Sequence, residues 1–124
     1  MENRKVKILV IEDHLIAKKI AITILKGLDC EVDTAESGRE ALGLMQTNEY
    51  HLILVDIGLP DIDGFELAQE IRKLEKGKSD LPIIALTAHT DNNYKKRCLE
   101  AGMNSCFAKP LTTENAQNIL ESFI

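Results

Sequence analysis

The chain has 124 residues, the size of one domain that can bury enough surface to fold without staples. Its 15 Lys and Arg against 20 Asp and Glu leave a net charge of −5, which argues against direct nucleic-acid binding. The 3 cysteines have no C-x-x-C spacing, and no apolar run suits a signal peptide or membrane span. A zinc site, a disulfide framework and membrane contact by this domain are therefore not expected. A cytoplasmic setting is expected instead, either alone or as the cytoplasmic part of a membrane-bound sensor.

Residues 5–11 (KVKILVI) read as a buried strand. From Leu15 to Leu28, Ile16, Ile20, Ile24 and Leu28 recur at every fourth position, with Ala17, Ala21 and Leu25 beside them, as on one face of an amphipathic helix. Residues 30–35 (CEVDTA) read as a short strand. Ser37 and Glu40 form an S-x-x-E capping box that opens a helix to about Asn48, with Ala41, Leu42 and Met45 facing inward. Residues 51–56 (HLILVD) are the third strand. Asp63, with Glu66 three residues on, caps a helix to about Lys76 whose inward residues are Leu67, Ala68, Ile71 and Leu74.

The segment GKSD at 77–80 reads as a turn, and LPIIALT at 81–87 as a fourth strand, with Pro82 at its entry. Asp91 caps a weak helix that ends near Gly102. Only Tyr94, Cys98, Leu99 and Ala101 give it an apolar side. SCFAK at 105–109 is a short fifth strand, and Thr112 caps a last helix with Ala116, Ile119, Leu120 and Phe123 on one face. Five strand–helix pairs in strict alternation predict an α/β fold in one domain, residues 1–124, with a parallel sheet and helices on both faces.

In an open parallel sheet, ligands bind beyond the carboxyl ends of the strands, where strand order reverses. The first strand ends at Glu12 and Asp13, the third at Asp56, the fourth at Thr87 and the fifth at Lys109. Taken singly, each has a mundane reading: Asp13 as a helix cap, Thr87 as a β-former, Lys109 as a solvated surface group. Their coincidence at one edge outweighs these. Two carboxylates about 4 Å apart repel by roughly 4 kcal/mol at an effective dielectric of about 20. Three together must protonate, separate or bind a cation. An all-oxygen ligand set selects Mg2+ or Ca2+ over zinc, and so few protein ligands favour Mg2+, which keeps waters and borrows phosphate oxygens. A carboxylate beside such a cation and a lysine is a nucleophile for a phosphoryl group.

Four segments carry a family resemblance: ILVIEDH at 8–14, LILVDIGLPDIDG at 52–64, PIIALTA at 82–88 and CFAKPL at 106–111. Together they span nearly the whole chain and resemble the receiver domains of two-component response regulators. PIIALTAHT at 82–90 leans toward the receivers of hybrid sensor histidine kinases. The resemblance implies a flavodoxin-like (βα)5 three-layer sandwich with strand order 2-1-3-4-5. It implies Asp56 as phosphoacceptor, and Glu12, Asp13, Asp56 and the Gly58 backbone carbonyl as a Mg2+ site, with Mn2+ or Ca2+ as substitutes. Thr87 would be the hydroxyl that moves to meet the phosphoryl group, Lys109 its ammonium partner and Phe107 the aromatic switch.

The same resemblance implies a cis Lys109–Pro110 bond, and a histidine kinase or histidine phosphotransfer domain as partner of a monomer or weak dimer. Gly58 and His89, each two residues after Asp56 and Thr87, are expected to line the approach of the hydrolysing water and set the phosphoryl lifetime. His14 and His51 read as structural or solvated, and Lys95, Lys96 and Arg97 as a solvated face with partner docking left open.

The expected function is a phospho-accepting switch rather than a turnover enzyme. A Mg2+-dependent aspartyl-phosphate phosphatase is the enzymatic alternative, but it would want an Asp where Gly58 stands. A flavodoxin-like electron carrier would need a Ser/Thr/Gly-rich phosphate loop after the first strand, where EDHLIA (12–17) is acidic. A receiver that no longer accepts phosphate is opposed by the complete residue set.

Overall fold

A computed structural model describes residues 5–74, 79–88 and 91–124. The elements run β1 (Lys7–Ile11), α1 (Leu15–Gly27), β2 (Glu31–Ala35), α2 (Gly38–Thr47) and β3 (Leu52–Asp56). They continue with α3 (Gly64–Arg72), β4 (Ile83–Thr87), α4 (Asn92–Glu100), β5 (Ser105–Ala108) and α5 (Thr113–Phe123). Every strand pairing is parallel, and the order across the sheet is β2-β1-β3-β4-β5. The chain therefore reverses its direction of travel across the sheet at β1, which pairs through Ile11 with both Ala35 and Val55. None of the helices described is long and apolar enough to cross a membrane.

Alternation along the strands divides the core into two layers, because successive side chains point to opposite faces. Leu9, Ile11, Ile53, Val55, Ile83 and Ala85 pack against residues of α2, α3 and α4. Ile8, Val10, Leu52, Leu54, Ile84 and Leu86 pack against residues of α1 and α5. Strands covered on both faces read as continuous apolar runs, which is why β3 and β4 are buried at every position.

Each helix begins at a side chain that accepts a backbone N–H. Ser37 takes Glu40 N, Asp63 takes Glu66 N, Asp91 takes Tyr94 N and Thr112 takes Asn115 N, as the sequence predicts. The cap of α1 is His14, whose Nδ1 accepts from Ala17 N at 3.4 Å. A cap of the Ser, Thr, Asp or Asn type contributes about 1 kcal/mol.

Three expectations shift. Ile16 does not belong to the buried stripe of α1 but is 63% exposed, and the stripe centres on Ala21 and Leu25. A four-residue repeat drifts about 40° per step around the helix, so the first member falls outside. Leu99 is 58% exposed, and α4 buries only Cys98. α3 stops at Arg72, short of Lys76, because Lys73 N and Leu74 N donate three residues back, to Glu70 O and Ile71 O, and tighten the last turn. The expected end of that helix and the start of the GKSD turn fall in residues 75–78, outside the described residues.

Candidate functional site

The carboxyl ends of β1, β3, β4 and β5 meet at the edge where the sheet order reverses. Glu12 follows β1 and prolongs its pairing with β2, since its N–H donates to Ala35 O at 2.9 Å. Its side chain is buried, and Oε2 accepts from His14 N at 3.2 Å. Asp56 ends β3, lies buried, and accepts from Gly58 N through Oδ1 at 3.2 Å. Lys109 N donates to Thr87 O at 2.9 Å, which carries the β4–β5 pairing out to the site. Its Nζ lies 3.1 Å from Asp56 Oδ1 and 3.3 Å from Glu12 Oε1.

Asp13 is exposed, and His14 rather than Asp13 caps α1, which removes the mundane reading of this acid. One carboxylate oxygen each from Glu12, Asp13 and Asp56 fall within 4.8 Å of one another. Thr87 is buried at the end of β4. Phe107 pairs in register with Leu86 and packs, partly buried, on the α1/α5 layer. Gly58 is exposed, and a Cβ there would meet no atom within 4 Å. The Lys109–Pro110 bond is cis, as expected.

The charges lean on one another. Burial pushes the Glu12 carboxyl up to about 7, helped by its hydrogen bond with Asp56, so near neutrality Glu12 competes for a proton. Burial works the same way on Asp56. Its hydrogen bonds with Glu12, Lys109 and the Gly58 N–H outweigh that and hold it below the usual carboxylate range. Burial disfavours the charge on Lys109, but Asp56 and Glu12 more than offset it and raise its pKa. One ammonium does not balance three clustered carboxylates. A hard divalent cation would do the same work with a better charge match, so the donor set fits Mg2+.

The remaining sequence candidates divide. His51 is structural, its Nδ1 accepting from Lys7 N at 2.9 Å, and His14 is a cap. His89 lies outside the described residues. Lys95 and Lys96 are exposed, but Arg97 does not merely face solvent: its guanidinium lies 4.5 Å from the Phe65 ring centroid and 5.7 Å from that of Tyr94. All three cysteines are free and buried. Sequence reasoning passed over Asp61, whose Oδ1 and Oδ2 accept from Gly38 N and Arg39 N at 2.9 and 3.0 Å. Ser37 already supplied a complete cap for α2, so nothing local signalled a second acceptor more than twenty residues away.

Comparison with known proteins agrees with this geometry. The family model of the response regulator receiver domain matches residues 8–121. The sensor histidine kinase RcsC of Escherichia coli K12 is 37% identical over 113 residues, which cover 91% of this chain and 12% of that protein. The chain thus spans about an eighth of that relative's length. The receiver domain of the sensor histidine kinase PA1611 from Pseudomonas aeruginosa, solved with magnesium in its active-site cleft, is 34% identical with a TM-score of 0.86. That likeness covers 97% of this chain and 98% of the other. The receiver domain of Saccharomyces cerevisiae Ssk1, solved with the histidine phosphotransfer protein Ypd1, is represented by a match of TM-score 0.88 and 26% identity, over 99% of this chain and 91% of the matched chain. With its parallel sheet, its acids and its lysine in this order and at this edge, the chain belongs to the response regulator receiver domain family of two-component phosphorelays.

Proposed function

We propose that this chain is a Mg2+-dependent phospho-accepting switch whose acceptor is Asp56. The observation that carries the proposal is the Lys109 ammonium seated against both Glu12 and Asp56, with Asp13 completing the acidic cluster. An ionised Asp56 oxygen attacks the phosphorus of a phosphohistidine. The P–N bond breaks, and the imidazole leaves with the electron pair and regains its proton from solvent. Lys109 offsets charge on the transferring oxygens, and the Thr87 hydroxyl moves to meet the bound group. Glu12, Asp13, Asp56 and the Gly58 carbonyl would hold Mg2+, which supplies further neutralisation of the phosphoryl charge when bound.

Displacement of Thr87 frees space that Phe107 enters, and the surface formed by α4, β5 and α5 changes between two arrangements. A histidine kinase or histidine phosphotransfer domain is the phosphodonor. The adjacent exposed pair Leu15 and Ile16, at the start of α1 beside the acids, supports a protein rather than a small molecule in that role. Gly58, open to solvent beside the acceptor, lines the approach of the water that ends the signal. The chain acts as a single receiver unit that takes one phosphoryl group and releases it to water, without further turnover.

Acetyl phosphate, with and without Mg2+, followed by mass measurement, tests this reading. The expected result is a gain of one phosphoryl mass that requires the metal and is absent in Asp56→Asn. A wild-type chain that gains no mass in either condition refutes it, and sustained donor turnover would favour a phosphatase.

A further inference from the structure

The loop from Ile57 to Asp63 carries Gly58 and leads directly out of the acceptor strand. It is held in three ways. Ile57, Leu59 and Ile62 pack against the α2/α3 layer of the core. At its exit, Gly64 N donates to Ile57 O at 2.8 Å, and the two residues lie so close that a Cβ on Gly64 would stand 2.8 Å from Ile57 Cα. The third hold is the only one of these made with backbone outside the β3–α3 segment. The Asp61 carboxylate bridges the Gly38 and Arg39 N–H groups, the first two of α2, one oxygen to each. The approach is close enough that a Cβ on Gly38 would collide with the Ile62 side chain.

The N-terminus of α2 thus has two acceptors of different reach. Ser37 serves Glu40 N from the adjoining residue and fixes nothing but the helix. Asp61 serves the first turn from the acceptor loop and so fixes the distance between them. The orphan N–H groups of a helix start are strong donors with a partial positive charge, and a carboxylate held by two of them has little freedom. The two bonds also pull the Asp61 carboxyl below its usual range.

We propose that Asp61 is a positioning residue for phosphoryl transfer: by tying the β3–α3 loop to the first turn of α2, it sets the Gly58 carbonyl and the turn after Asp56 in the geometry that the divalent cation and the phosphoryl group require. The inference rests on the phosphoacceptor reading above and adds a residue that touches neither cation nor phosphoryl group. Supporting groups one step removed from a metal commonly change its affinity by about 10- to 100-fold when lost.

The test compares the wild-type chain with Asp61→Ala, Asp61→Asn and Ser37→Ala. Mg2+ affinity is measured by titration calorimetry on the unphosphorylated chain, and the rate of phosphorylation by acetyl phosphate is measured alongside it. Melting followed by circular dichroism reports the stability of each variant. Ser37→Ala removes a cap bond of the same helix and leaves the tether, so it is expected to melt earlier while keeping wild-type affinity and rate. Asp61→Ala is expected to bind Mg2+ about 10-fold more weakly and to accept phosphate more slowly. Asp61→Asn, which loses the charge but keeps an acceptor oxygen, is expected to fall between the two.

Wild-type affinity and rate in Asp61→Ala overturn the proposal, as does an equal loss in Ser37→Ala. If the wild-type chain itself neither binds Mg2+ nor accepts phosphate, the phosphoacceptor reading has failed and the inference falls with it. If the wild type does both and Asp61→Ala matches it, this inference alone has failed.

Discussion

α3 and α4 are each nine residues long, each opened by an aspartate cap, and both cover the same face of the sheet. They are anchored very differently. α3 buries Gly64, Leu67, Ala68 and Ile71, and its last residue, Arg72, donates to Gly102 O, Ser79 O, Leu81 O and Asn104 Oδ1 at 2.6–2.8 Å. α4 buries only Cys98, which shares a core layer with Cys106 of β5, and it rests Arg97 against Phe65 and Tyr94. The caps decide that both helices start; the apolar face decides how firmly each is held. α3, which follows β3, is held firmly, and α4, part of the proposed output surface, is held by fewer buried groups, as that proposal requires of a movable element.

The sharpest way to break this comparison is to truncate one leucine in each helix. Leu67→Ala in α3 is expected to cost about 3 kcal/mol in urea denaturation, since it empties a fully buried site. Leu99→Ala in α4 is expected to cost no more than about 0.5 kcal/mol, because Leu99 is largely exposed. Equal losses would mean that α4 is as firmly packed as α3.

Arg72→Ala should come next, at about 2 kcal/mol, because it leaves part-buried carbonyls without their donor. Its loss should also let the α4–β5 turn exchange amide hydrogens faster, since Arg72 Nε holds Gly102 O at 2.8 Å.

A smaller effect is expected at alkaline pH. Burial, with the Cys106 thiol beside it, pushes the Cys98 thiol from 9.0 up to about 12. The folded chain therefore holds that proton more tightly than the unfolded chain does. The associated stability is complete below about pH 9 and declines as pH rises from there toward 12. Denaturation measured across this range should show the decline in the wild type and a flatter limb in Cys98→Ala.

Arg97→Ala is the mildest change, about 0.5 kcal/mol for an exposed cation–π contact. Hydrogen exchange should quicken in α4 and stay unchanged in α3. Quickening in both would show that the contact steadies α3 through Phe65 as well.

Much of this was legible along the chain. The runs KILVI, LILVD and IIALT are strands of a buried parallel sheet because covering both faces demands continuous apolar residues. Ser37, Asp63, Asp91 and Thr112 marked helix starts because a cap acts within three residues of itself. Glu12, Asp13, Asp56, Thr87 and Lys109 were legible as a set because each ends a strand, and parallel strands all end at one edge. The stripe of α1 was misjudged at Ile16 because periodicity gives a face but not where the neighbouring layer stops. Arg72, Arg97 and Asp61 were not read for their contacts, since their partners lie on other elements.

The sequence alone determined the alternation of elements, the helix starts and the edge to which the reactive groups are delivered, because those follow from interactions a few residues long and from the parallel topology they impose. Tertiary structure decided that Lys109 sits between Glu12 and Asp56, that Asp61 reaches α2, and that α3 is anchored where α4 is not. These depend on distances between segments far apart in the chain, which close packing of the two core layers sets and no local pattern encodes.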